Sequence, residues 1–162
     1  MAVCLVFDID DTIYVHTSTS VTTMDYATPY HEITYDSTLH SLLQKISYPK
    51  FVLTNATYGH ANLILDKMGV IDEFKKIYSR DNIPAMKPEP HCYYAVYQDI
   101  VTTVGSKPQI IFFDDMLDNL ATAKQRGWYT VWISPHYSEA STYSFVNRGY
   151  ATITEALQEF QI

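Results

Sequence analysis

The chain has 162 residues, 47% of them hydrophobic, which is enough for one domain with its own core and predicts a chain that folds rather than one that stays disordered. Its 18 acidic and 11 basic side chains give a formal net charge of −7, which excludes general binding to nucleic acid, because that rests on lysine and arginine neutralising phosphates. The two cysteines, Cys4 and Cys92, do not make a disulfide framework, and neither has a basic neighbour to make a reactive thiolate.

Ala2 to Ile9 is a short apolar run of β-forming residues, as expected of a strand buried on both faces of a parallel sheet. Thr12 to Thr34 is rich in Thr, Ser, Tyr and His and has no helical period; it reads as an irregular insert, with room for a β-hairpin. Leu39, Leu42, Leu43 and Ile46 share one face of a helix over 37–46, with Asp36 or Ser37 as its N-cap. Phe51 to Leu53 is a second buried strand, followed by a helix over 58–68 that Gly69 closes. Phe74 to Tyr78 reads as a third strand, and Pro90 opens a helix reaching Val104. Gln109 to Phe113 and Tyr129 to Ile133 are further strands, flanking a helix over 116–126. The tail adds a short strand near Tyr150 and a helix from Thr154 to Phe160. Strands alternating with helices predict a doubly wound α/β fold, a mostly parallel sheet with helices on both faces and right-handed crossovers. One domain over 1–162 is expected, with a short flap or cap insert at about 13–35. No apolar stretch approaches the ~20 residues of a membrane span. The N-terminus lacks the charged start of a signal peptide, so a cytoplasmic protein without a membrane partner is expected.

Polar residues end the apolar runs at three places. The first strand ends in Asp8-Ile9-Asp10-Asp11-Thr12, the second in Thr54-Asn55, and the fourth in Asp114-Asp115. Ligands of open α/β sheets bind outside the carboxyl ends of the strands, so all three groups face one edge. Aspartates also favour turns and helix caps, which would explain one such pair but not two clusters at strand ends. Two unit charges 4 Å apart repel by about 4 kcal/mol at an effective dielectric near 20, so the crowded carboxylates call for a cation. Oxygen ligands alone point to Mg²⁺, which completes its shell with water and substrate phosphate.

The segment Asp8-Ile9-Asp10-Asp11-Thr12 resembles the first motif of the haloacid dehalogenase (HAD) superfamily. Thr54, Lys87 within Met86-Lys87-Pro88-Glu89-Pro90, and Asp114-Asp115 followed by Asn119 resemble the other three motifs, in order, over roughly Val3 to Ser134. The wider phrase Phe7 to Tyr14, with Leu53-Thr54-Asn55-Ala56, is similar to the pyrimidine 5′-nucleotidase branch. The resemblance implies a phosphoric monoester hydrolase of two steps. Asp8 attacks phosphorus and becomes an aspartyl phosphate; Asp10 protonates the leaving oxygen and then activates water. Family members acting on phosphonates, haloalkanoates or ATP-driven transport generally lack an aspartate at the position of Asp10, which favours a phosphatase or phosphomutase. The implied metal site is Asp8, the carbonyl of Asp10, Asp114 and Asp115, the last either through water or by orienting Lys87. The implied phosphate site is Thr54, the Asn55 backbone N–H and Lys87. Asn119 either supports the acidic loop or is simply a first-turn helix residue. The Asp11 N–H is expected to face phosphate, and Asp118 to be solvated.

Substrate choice in this superfamily usually comes from a cap domain, and the stretch 13–35 is too short for a helical one. The expected substrate is a small phosphorylated molecule, with a nucleoside monophosphate foremost; the open site also admits a protein or another large phosphorylated substrate. A non-catalytic binding domain is disfavoured because Asp8, Asp10, Lys87 and the acidic pair are all present. Tyr14, His16, Met24, Tyr26, Tyr30, His31 and Tyr35 in the insert either stack on a base or form a flap packed on the core, the latter being the simpler reading. His16 and His31 lack the spacing of metal ligands. His60 and His91 either line the edge of the site or, more simply, serve surface or helix packing.

Overall fold

The structure, a computed structural model, describes residues 2–16 and 28–160. Its centre is a parallel sheet whose strands are β1 (Val3–Phe7), β2 (Lys50–Leu53), β3 (Lys76–Tyr78), β4 (Gln109–Asp114), β5 (Tyr129–Ile133) and β6 (Arg148–Tyr150). Their order across the sheet is β3-β2-β1-β4-β5-β6, and every neighbouring pair is parallel. Successive side chains of a strand point to opposite faces. Leu5, Phe7, Val52 and Phe113 accordingly fill one core, while Cys4, Val6, Phe51, Leu53 and Phe112 fill the other. Both faces are apolar, which is why β1 and β4 read as near-continuous hydrophobic runs.

Helices α1 (Ser37–Lys45), α2 (Tyr58–Lys67) and α5 (Ile153–Glu159) cover the first face through Leu39, Leu42, Leu43, Ala61, Ile64, Leu65, Ile153, Ala156 and Leu157. Helices α3 (Pro90–Val104) and α4 (Leu117–Gln125) cover the second with Tyr93, Val96, Ile100, Leu120 and Ala123. Burying one such Leu or Ile side chain is worth roughly 1.5–3 kcal/mol, so the apolar stripes, not helix propensity, hold these segments in place. Capping follows the sequence. Asp36 accepts from Leu39 N at 3.0 Å, and Thr57 accepts from His60 N at 3.2 Å. Gly69 closes α2 with φ of 77°, and the Tyr35 ring occupies the space a Cβ would need.

The predicted doubly wound sheet is present, with two local differences. The third strand begins at Lys76 and not at Phe74, because a 3₁₀ turn over Ile71–Glu73 uses up the approach to it. Phe74 serves instead as a plug, its ring edge-on to Phe7 at 5.7 Å. In the predicted insert, Tyr30–Glu32 forms a single 3₁₀ turn. The possible hairpin there, together with Met24 and Tyr26, falls within 17–27, outside the described residues. No helix among the described residues is long and apolar enough to cross a membrane.

The chain passes from β3 at one edge back to β4, which pairs with β1 on the opposite side from β2. The order reverses between β1 and β4. Such a switch point opens a crevice at the carboxyl ends of the strands, where helices leave in opposite directions. Asp8 follows β1 and Asp114 ends β4, one on each side of that crevice.

Candidate active site

Backbone pairing carries the site into the crevice. Asp8 N donates to Phe113 O at 2.9 Å, extending the β1–β4 ladder one residue and bringing Asp8 beside Asp114. Lys87 arrives from the loop before α3. Its Nζ donates to Asp8 Oδ1 at 3.0 Å, to Asp114 Oδ2 at 2.8 Å and to Leu53 O at 2.9 Å. An ammonium has three donors, and all three are used. The Lys87 side chain is 1% exposed and that of Asp114 0%. Burial alone would lower the lysine pKa; Asp114 and Asp8 outweigh it and hold Lys87 protonated well above its ordinary value. Thr12 Oγ1 donates to the other oxygen, Asp8 Oδ2, at 3.0 Å.

Asp114 is fixed by its own loop. Met116 N donates to its Oδ1 at 2.8 Å, and Asn119 Nδ2 lies 3.3 and 3.2 Å from its two oxygens. Asn119 is thus buried support for the acidic loop, one of the two roles expected for it. Trp132 Nε1 donates to Asp115 O at 3.0 Å, which holds the second acidic residue in place. The sequence offered Asp115 as one means of orienting Lys87. That part is corrected, because Lys87 is satisfied by Asp8, Asp114 and Leu53 and leaves Asp115 free to face Asp8.

Asp8, Asp114 and Asp115 each offer a carboxylate oxygen, all within 4.8 Å of one another. Burial, then the charge of Asp114, push the Asp8 carboxyl well above the usual range, although Lys87 pulls it down. Burial also raises Asp115, to about 6, with Asp114 and Asp11 adding to the effect and the hydrogen bond with Asp8 opposing it. Three carboxylates face one ammonium, leaving an excess of negative charge that burial makes costly. Hard oxygen donors carrying an uncompensated charge fit a divalent cation. The Asp10 carboxylate is not in this cluster, so the part expected of Asp10 in holding a metal falls to its carbonyl alone.

The Asp10 side chain instead meets two histidines. His16 Nε2 lies 2.8 Å from Asp10 Oδ1, and His60 Nε2 lies 2.9 Å from Oδ1 and 3.1 Å from Oδ2. Burial pushes the Asp10 carboxyl up, but the hydrogen bonds from His60 and His16 outweigh it, and its pKa falls below the ordinary value. His60 therefore lines the site, and the simpler expectation of a packing histidine is corrected. His91 is exposed, and exposed His31 lies 3.6 Å from Glu32.

Thr54 is buried at the end of β2, where its Oγ1 accepts from Ala56 N at 3.0 Å. Asn55 has a role the sequence did not suggest. Its Nδ2 donates to Lys87 O at 3.0 Å and its Oδ1 accepts from Lys87 N at 2.9 Å, a two-way clamp on the lysine's backbone. The Asp11 N–H, expected to face phosphate, donates to Tyr14 O at 2.6 Å instead, because Asp11 takes the left-handed conformation with φ of 63° to turn the loop. Asp118 is exposed, as expected.

A parallel sheet with an acidic crevice at its switch point and a buried lysine across from it defines the class to which comparison with known proteins also leads. The family model described as haloacid dehalogenase-like hydrolase matches residues 23–133, a span that holds Thr54, Lys87, Asp114 and Asp115, and the chain belongs to this family. Among solved structures, L-2-haloacid dehalogenase from Xanthobacter autotrophicus superposes with a TM-score of 0.60 at 13% identity, over 81% of this chain and 62% of that one. A predicted phosphoglycolate phosphatase from Haemophilus somnus gives 0.60 at 22% identity, over 77% and 55%. The chain thus spans about three-fifths of the length of these two proteins. An uncharacterized protein from Listeria monocytogenes gives 0.64 at 15% identity, over 97% and 96%. At these identities the likeness is one of fold.

Proposed function

We propose that the chain is a Mg²⁺-dependent phosphatase that hydrolyses a phosphate monoester through an aspartyl phosphate on Asp8. The carrying observation is the pair of carboxylates at the end of β1. Asp8 is buried against Lys87 and the acidic cluster, while Asp10, two residues on, is turned away and hydrogen-bonded to imidazoles. Two carboxyls in such different surroundings suit two roles, a nucleophile and a proton carrier. The fold is shared by dehalogenases and phosphatases; Asp10 supports the phosphatase reading, since a phosphate ester needs its leaving oxygen protonated and a halide does not.

Asp8 bonds to phosphorus as the ester P–O bond breaks, and Asp10 delivers a proton to the departing oxygen. Asp10 then takes a proton from the water that displaces Asp8 from phosphorus. Lys87 holds Asp8 in line and places a positive charge beside the oxygens that gain charge. Thr54 and the Asn55 backbone lie at the strand end where phosphate oxygens are received. A Mg²⁺ held by Asp8, Asp114, Asp115 and the Asp10 carbonyl supplies charge neutralisation, allowing a carboxylate to approach an anionic phosphate.

A small phosphate monoester is the substrate class, and a pyrimidine nucleoside monophosphate the particular one that the resemblance of Phe7–Tyr14 and Leu53–Ala56 favours. The second reading, a large phosphorylated substrate such as a protein, is favoured by the shortness of the 13–35 stretch in the sequence, which leaves no room for a helical cap. A panel of nucleotides, sugar phosphates and phosphopeptides tests both. Phosphate release with Mg²⁺, abolished by EDTA and by Asp8→Asn, is expected; wild type and variant equally inactive across the panel would end the enzymatic reading. Phosphopeptides outperforming every small ester would replace the nucleotidase reading with the second one.

A further inference from the structure

The contacts of Asp10 extend one residue beyond the histidine. His60 Nε2 bridges both oxygens of Asp10, and on the far side of the ring Tyr30 Oη lies 2.6 Å from Nδ1. A carboxylate only accepts, so Nε2 carries the hydrogen. In the neutral ring Nδ1 is then an acceptor, and the phenol donates to it. Tyr30 thereby selects one tautomer of His60. The ring is also fixed in space. Thr57 caps α2 and places His60 in its first turn, at the strand-end edge, and the Tyr30 ring packs edge-on against it with centroids 5.7 Å apart.

Asp10 needs such a holder. Its side chain is 34% exposed, and a carboxyl turns easily about its last torsion when nothing packs on it. The donors are also unevenly shared. Oδ1 receives His16 at 2.8 Å and His60 at 2.9 Å, whereas among the described residues Oδ2 has the longer 3.1 Å contact alone. Oδ2 is therefore the less engaged oxygen, the one open to take up a proton.

We propose that Tyr30 and His60 form a positioning relay for Asp10, in which the phenol fixes the imidazole tautomer and the imidazole aims Asp10 Oδ2 at the leaving oxygen. The inference rests on the phosphatase reading and deepens it. His60 keeps its Nε2 hydrogen throughout. In the first step the Oδ2 proton goes to the leaving oxygen as its bond to phosphorus breaks and the Asp8–phosphorus bond forms. In the second, Oδ2 takes a proton from the attacking water as the Asp8–phosphorus bond breaks.

A residue that aims a proton matters in proportion to how much the leaving group needs one. Positioned proton transfer contributes roughly 10²- to 10⁴-fold, so its partial loss in His60→Ala should lower kcat/KM about 10- to 100-fold for glycerol 2-phosphate. The same variant should change kcat/KM for 2,4-dinitrophenyl phosphate, whose phenolate leaves unaided, by less than about threefold. His60→Gln, which can still offer an N–H, should recover most of the loss. Tyr30→Phe should fall between, and nitrogen-15 spectra of the His60 ring should change from the Nε2–H tautomer to a mixture. Equal losses on both esters, no loss on either, or an unchanged ring spectrum in Tyr30→Phe would overturn the relay alone. A wild type that releases phosphate from neither ester would overturn the phosphatase reading and the relay with it.

Discussion

Lys87 and the aspartates around it set one another's charge. With Asp8 Oδ1 and Asp114 Oδ2 both within 3.0 Å of its Nζ, the lysine stays protonated and keeps two carboxylates side by side. Asp115 has no such cation beside it among the described residues, and its carboxyl is pushed up to about 6. This has a definite sign. The unfolded chain releases the Asp115 proton near its ordinary value, while the folded one holds it to about 6, so folding stability falls as pH rises through that window. In EDTA, Asp115→Asn should be more stable than the wild type at pH 8, with the difference shrinking toward zero at pH 4. Urea unfolding at both pH values checks it, and a difference that is constant with pH would contradict it. Asp8, Asp10, Lys87, Asp114 and Asp115 were legible because each breaks an apolar run or sits in an ordered motif. His60 was legible only as the less simple of two readings, because its contact with Asp10 spans 50 residues and depends on the phase of α2. Its one signal was its place three residues after the cap Thr57, just beyond a strand end that already carried motif residues. The Asn55 clamp on Lys87 left no mark in the sequence at all, since it is made between a side chain and a distant backbone.

The elements serve the site by ending where they do. α2 must stop at Met68 so that the chain can turn into β3, and Gly69 makes the stop with a positive φ under the Tyr35 ring. Gly69→Ala meets both a left-handed backbone and that ring, and should cost about 1–3 kcal/mol of stability. Gly59 lies in the first turn of the same helix with open space where its Cβ would be, so Gly59→Ala should be neutral or stabilising by up to about 1 kcal/mol. Denaturant midpoints of the two variants check the contrast; equal effects would mean that the turn does not constrain the helix end. Helices α1 to α4 were readable from their apolar stripes and caps, as were β1, β2, β4 and β5 from their unbroken hydrophobic runs. β3 was placed too early because Phe74 looks like a strand residue and is one in chemistry. Its backbone is committed to the end of a 3₁₀ turn and its ring to a plug against Phe7.

At the scale of the whole molecule, topology does what no single residue could. Reversal of strand order between β1 and β4 brings residues from 8, 54, 87 and 114 to one crevice, and the fold was legible because alternating strands and helices admit few other arrangements. The proposed chemistry rests on Asp8 at the floor of that crevice. Acid quenching during steady-state turnover, followed by mass spectrometry of the peptide that contains Asp8, tests this most directly. One added phosphoryl group on Asp8 is expected, present only with Mg²⁺ and a hydrolysable ester, accumulating further in Asp10→Asn and missing in Asp8→Asn. Phosphate release from the wild type with no phosphoryl group ever found on Asp8, or with full activity kept by Asp8→Asn, would contradict it.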